Sequence, residues 1–155
     1  MIKIKKIIFL VLLSLIYIEK GNTEITDALF MTIGNKPITK SDIVNEIKLI
    51  LILNNENYSD DKRDRLHEAA VKSTIERNVK EIELERNDFF KFNEEDLEKE
   101  LIRLASNIYM DLETLKNICA SNEVDFAIIE NQVKTELYWN SLIFELYKNR
   151  ITVDA

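Results

Sequence analysis

Apolar residues come first as one block, then alternate around a turn, and from there recur at helical spacing. Ile7 to Ile18 is an apolar run broken only by Ser14. The stretch Leu29 to Val44, LFMTIGNKPITKSDIV, predicts a strand, a tight turn at Gly34-Asn35 ahead of Pro37, a second short strand and a capped helix start. Ile33 and Ile38 are the hairpin residues expected to pack. Ser41 or Thr39 serves as cap for a helix in which Ile43, Ile47, Ile50 and Leu51 share a face, with Asp42 and Glu46 near the positive end of its dipole. That helix is predicted to stop at Asn54-Asn55.

A second helix is predicted from about Ser59-Asp60-Asp61 to about Arg86. Its apolar positions Val71, Ile75, Val79 and Ile82 recur at threes and fours among dense charge, so it is expected to be long and mostly solvated. A third starts with Asn93 as cap and Glu94, Glu95 and Asp96 in its first turn. The stripe Leu97, Leu101, Leu104, Ala105 and Ile108 follows the 3.6-residue period. Asp111 caps a short helix carrying Leu112, Leu115 and Ile118. Asp125 caps a last one from Phe126 to about Asn149, whose Ile129, Val133, Leu137 and Phe144 to Tyr147 are expected to face inward. Ile151-Thr152-Val153 is a β-prone tripeptide, predicted as a short closing strand.

The first block is built like a secretory leader: Lys3, Lys5 and Lys6 form a basic segment ahead of a dozen apolar residues. A run of that length is too short for about 30 Å of hydrocarbon, which needs about 20 residues at helical rise. Export is the reading, with residues 1–22 as signal peptide and 23–155 as one domain. The region Ile18 to Thr23 has no small-x-small cleavage pair, so an uncleaved anchor stays open as the alternative. About 130 residues remain, enough for one modest core. With two Gly and one Pro in 155 residues, nothing marks an internal boundary.

Charge narrows the partners. The chain has 21 basic and 28 acidic side chains. Removing residues 1–20 takes away four lysines and one glutamate and leaves a net charge near −10, which repels nucleic acid and anionic lipid. Neither is expected as a partner, nor a membrane beyond the export signal. The acids are interleaved with Lys and Arg along helical faces, as a solvated surface requires. Cys119 is the single cysteine, expected as a small buried hydrophobe, with an intermolecular disulfide as the alternative.

Catalytic chemistry is not visible. His67 is the single histidine, lies among Arg63, Arg65 and Glu68, and is expected at the surface, without a second ligand at metal spacing. Asp60-Asp61 and Glu94-Glu95 fall where helices begin, so dipole complementarity accounts for them. Gly34 belongs to turn chemistry. No cofactor, metal or catalytic residue is predicted.

The order of elements carries a resemblance. The hairpin LFMTIGNKPITKSDI, a helix, a long helix, an acidic-capped helix ending in Asn107-Ile108-Tyr109-Met110, the segment Asp111 to Leu115, and then Asn131 to Leu137 resemble the N-terminal region of the SurA-like periplasmic chaperones, over about residues 25 to 153. The resemblance implies a mainly α fold: a SurA N-terminal-like, trigger-factor-like peptide-binding helical domain with a small N-terminal β-hairpin and a short C-terminal strand. It also implies a periplasmic module that holds unfolded outer-membrane proteins. In that family Ile151-Thr152-Val153 leads into a prolyl isomerase domain, which needs on the order of 90 further residues. No isomerase activity is therefore expected of this chain. In the family a C-terminal segment also covers the N-terminal module, so an open apolar face is expected here. Phe89, Phe90, Tyr109, Met110 and Trp139 are the candidate peptide-binding residues, because Met and broad aromatic surfaces suit varied apolar segments.

Two classes of function follow. One is an ATP-independent chaperone without catalysis. The other is a structural or assembly subunit that forms a fixed homodimer or docks on one periplasmic partner. A remoter option is an enzyme whose isomerase domain is a separate chain.

Overall fold

The computed structural model describes residues 27–88 and 93–148. The leader, Phe89, Phe90 and Ile151-Thr152-Val153 lie outside the described residues. The chain order is β1 (Leu29–Ile33), β2 (Lys36–Thr39), α1 (Lys40–Leu53), a 3-10 turn (Asp60–Lys62), α2 (Arg63–Arg86), α3 (Glu94–Asn107), α4 (Leu112–Ser121) and α5 (Ala127–Tyr147). The fold is mainly helical, with a small two-stranded antiparallel hairpin in front.

The hairpin closes through the two residues between Ile33 and Lys36. Gly34 takes φ +60° while Asn35 does not enter positive φ, the pattern of a turn whose first central residue must be glycine. A Cβ there would also sit 3.0 Å from the Ile82 side chain, so the turn lies against α2. Lys36 anchors the same end: its Nζ is 2.8 Å from both Glu81 and Glu85. Burial pulls the Lys36 pKa down, but the bonds to the two carboxylates outweigh it and leave it raised. At the open end the register shifts between Leu29 and Met31, and the Phe30 ring meets His67 edge-on at 5.7 Å. His67 is exposed, as expected.

Thr39, the last residue of β2, caps α1. Its hydroxyl accepts from the Asp42 N–H at 3.2 Å and the Asp42 carboxylate accepts from the Thr39 N–H at 2.7 Å, a reciprocal capping box. Of the two candidate caps the chain uses Thr39. Ser41 instead donates its N–H to Asp27 at 3.1 Å.

Two apolar clusters form the core. Leu49 and Ile52 of α1, Leu101 and Ala105 of α3, Leu115 and Cys119 of α4, Val124, and Ile129 of α5 make the larger one. Ile38, Ile43 and Ala70 make the smaller, under the hairpin. The α3 stripe packs as its period predicts, with Leu97, Leu104 and Ile108 partly buried against the larger cluster. Cys119 is completely buried; burial pushes its thiol pKa up, and a disulfide would require opening the core.

One predicted face is extended and two are corrected. In α1, Ile43, Ile47 and Ile50 share a face on the hairpin cluster as predicted, with Leu51 half-buried, and Glu46, Leu49 and Ile52 are buried as well. The helix is sandwiched between α2 and α4, so it has two inner faces and no single stripe. In α2 the buried row is Leu66, Ala70, Thr74 and Asn78, with Leu84 beyond, and Ile75 and Val79 are exposed. Small Ala70 and Thr74 let α1 and α2 approach closely, and that packing outweighs the gain from burying Ile75. In α5, Ile129 is buried and Val133 packs on the core, but Phe144, Leu146 and Tyr147 are exposed. Leu84 and Glu85 of α2 lie opposite Tyr138, so α5 outruns α2 by more than a turn after Leu142.

Helix ends share one device. After α1, α3 and α4 the chain makes paired bonds back to the last turn: Glu56 N–H to Leu51 O with Asn55 N–H to Ile52 O, Met110 N–H to Ala105 O with Tyr109 N–H to Ser106 O, and Val124 N–H to Cys119 O with Glu123 N–H to Ala120 O. These are Schellman stops, which need one left-handed residue and usually take glycine. Here Asn55, Tyr109 and Glu123 fill that position, at φ 51°, 60° and 56°.

Candidate functional site

Helices α2 and α3 both pack on α5, and a cleft of about 370 Å³ opens between them. That volume is near the lower end of ligand-sized recesses, about 300–1,000 Å³. Leu53, Leu104, Val133 and Leu137 supply its apolar surface. These residues come from α1, α3 and α5 and are half-buried, and Leu53, Leu104 and Val133 also pack against the larger core cluster.

Around that floor the charges are paired among themselves. Lys80 of α2 meets Glu136 of α5, and Arg103 Nη2 lies 2.7 Å from Glu100 within α3. At the base, Arg77 Nη1 donates to Glu46 Oε2 at 2.9 Å. Glu46 is 3% exposed and also accepts from Ser73 Oγ at 2.6 Å and from Gln132 Nε2 at 3.2 and 3.0 Å. A buried carboxylate needs its lone pairs satisfied, and this one ties α1, α2 and α5 together. Since Ser73, Arg77 and Gln132 also line the cleft, the same network fixes its base.

Chemically the cleft offers apolar contact plus side-chain amides and ion pairs, suited to holding a neutral apolar segment. Among the described residues no group of three or more His, Cys, Asp and Glu could hold a metal ion. No described helix is long and apolar enough to cross a membrane.

The residues singled out from the sequence fall elsewhere. Tyr109 is 99% exposed at the left-handed position of the α3–α4 stop, and Met110 beside it is half-buried. Trp139 is half-buried on α5, and none of these three lines the cleft. Phe89 and Phe90 lie outside the described residues. The cleft residues were passed over because the sequence offers them only as ordinary members of amphipathic helices. The available signal was Glu46, a carboxylate on the side of α1 that Leu49 and Ile52 also bury.

No known protein family matches the chain, and no curated protein is similar to it in sequence.

Proposed function

We propose that this chain is an exported, ATP-independent, chaperone-like module that binds unfolded outer-membrane protein segments in the periplasm, without isomerase activity. The observation that carries the reading is the cleft between α2 and α3, where an apolar floor is ringed by charges already paired with each other. Such a surface gains from covering a neutral apolar side chain and has no strong charge preference to restrict the client. The leader-like first segment and the acidic surface support export and an aversion to nucleic acid. Mass action on the unfolded state suffices as mechanism: weak capture lowers the free unfolded population and lets it go again.

The test is light scattering from a urea-unfolded outer-membrane protein diluted into buffer with equimolar chain. Slower aggregation is expected, and Leu104→Asn should weaken it while thermal melting confirms a folded variant. Unchanged aggregation with the wild-type chain overturns the reading.

The overhanging end of α5 favours a second reading, a fixed assembly surface. Phe144 is 64% and Leu146 53% exposed there. A dimer that persists on dilution and disappears with Phe144→Ser, together with no effect on aggregation, would favour it.

A further inference from the structure

A second recess lies on the other side of the α2–α5 contact, under the hairpin. It has a volume of about 250 Å³ and is lined by Pro37 and Ile38 of β2, Asn45 of α1, Thr74 and Asn78 of α2, and Asn131 of α5. Glu81 and Asn131 also line a smaller recess of about 160 Å³ that continues past Thr135 to Tyr138. From Ile128 to Tyr138 the seam runs about 15 Å at helical rise, the span of about four or five extended residues.

Most charged groups along it are already engaged. Asp42 is held by Thr39, Arg77 by Glu46, and Glu81 and Glu85 by Lys36. Lys134 beside Thr135 makes no ion pair among the described residues and adds one donor at the far end. The other polar side chains are neutral: among the described residues those of Asn45 and Asn131 make no hydrogen bond, and Asn78 spends its Nδ2 on the Thr74 carbonyl at 2.8 Å. Thr74 adds an independent observation. It lines the recess, is 1% exposed, and its hydroxyl has no partner. An unmet buried hydroxyl is unfavourable, so the site gains from an occupant or a water that brings a polar partner.

A carboxamide carries one acceptor oxygen and one donor nitrogen, the same pair that a peptide group presents. We propose that the seam binds the main chain of an extended peptide, with Asn45, Asn78 and Asn131 pairing with its amide groups and Ile38 and Ile128 contacting its side chains. Binding through the main chain is indifferent to sequence. The proposal rests on the reading that the chain captures unfolded segments, and it assigns to the seam the part of recognition that the apolar cleft does not supply.

Titration of the ¹⁵N-labelled full chain with an acetylated, amidated Val-Ala-Val-Ala-Val peptide, and with its analogue bearing one central ester, tests this. The side-chain amide signals of Asn45 and Asn131 are expected to shift. The ester analogue should bind roughly three- to tenfold more weakly, the loss of one donor, and Asn131→Leu should erase that difference. Because Asn131 is exposed, the variant should fold; the amide-to-ester comparison needs no variant at all. Shifts confined to Gln132 and Asn140, with amide and ester bound equally, would place the peptide in the cleft only and overturn the seam while leaving the proposed function. Shifts at Asn45 and Asn131 alone would support the seam and overturn the cleft. No shift at any of the four overturns both.

Discussion

Removing the Glu46 carboxylate should cost more than any apolar truncation at a half-buried position. Glu46→Ala deletes the hydrogen bonds from Ser73, Arg77 and Gln132 and leaves the Arg77 guanidinium, 17% exposed, without its counter-ion. Breaking a buried pair from one side costs about 3–5 kcal/mol, against a total of about 5–15 kcal/mol for a domain of this size. The variant should therefore lose about a fifth of its stability or more. Arg77→Met should cost less, because Arg77 is the more exposed partner and Ser73 and Gln132 still serve the carboxylate. Replacing both, Glu46→Leu with Arg77→Met, should recover to within about 1 kcal/mol of wild type, since an apolar pair has no desolvation to offset. Urea unfolding read by circular dichroism and by Trp139, the sole tryptophan, measures these variants and Glu46→Leu alone, which closes the cycle with wild type, Arg77→Met and the double variant. A Glu46→Ala loss below about 0.5 kcal/mol, or a double variant as unstable as the sum of the singles, would refute the network as the tie between α1, α2 and α5.

Other outcomes follow from single positions. Thr74→Val keeps the shape and removes an unpartnered buried hydroxyl, so it should raise stability by about 1 kcal/mol in the same urea assay; a loss would mean the hydroxyl is bonded. Tyr109→Gly relieves a tyrosine at φ 60° and should stabilise by about 1 kcal/mol, while any drop in client binding would assign the 99% exposed ring a contact role. Acid should weaken the fold. The pKa of Asp27 is lowered by the Thr39 and Ser41 hydroxyls, that of Glu56 by Lys62 and Arg65, that of Asp61 by Ser59, and that of Asp111 by the Thr114 N–H. A carboxyl whose folded pKa is depressed contributes stability above its unfolded value, near 3.8 for Asp and 4.5 for Glu, and loses it as pH falls through the folded value. The melting temperature should hold down to about pH 5 and decline below about pH 4; a flat profile to pH 2.5 would contradict these bonds.

Local chemistry was legible wherever a short-range rule decides. Asn93 accepts from the Glu95 N–H at 3.2 Å and Asp111 from the Thr114 N–H at 2.6 Å, both as capping residues should. Gly34-Asn35 turns the hairpin, and the α3 stripe faces the core. The long α2 was harder because its apolar and buried sets differ: Ile75 and Val79 lie outside while Thr74 and Asn78 lie inside. Periodicity reports which face is greasier, and in α2 closeness to α1 mattered more. The stops at Tyr109 and Glu123 were also hidden, because glycine is the usual signal there and other residues stand in its place. The cleft was invisible for a related reason. Its walls come from α2 and α3, each of which packs on α5.

By itself, then, the sequence determined the types and order of the described elements, the caps at Asn93 and Asp111, the hairpin turn, the burial of Cys119 and the acidic composition, because each depends on residues close in the chain or on composition alone. The tertiary structure alone decided that α1 has a second inner side, which side of α2 is inside, how far α5 overhangs, and where Glu46, Arg77 and Gln132 meet. Those outcomes depend on pairs 31 and 86 residues apart. Between such distant residues no local spacing carries information, and only the packing of whole helices brings their charges and amides within bonding reach.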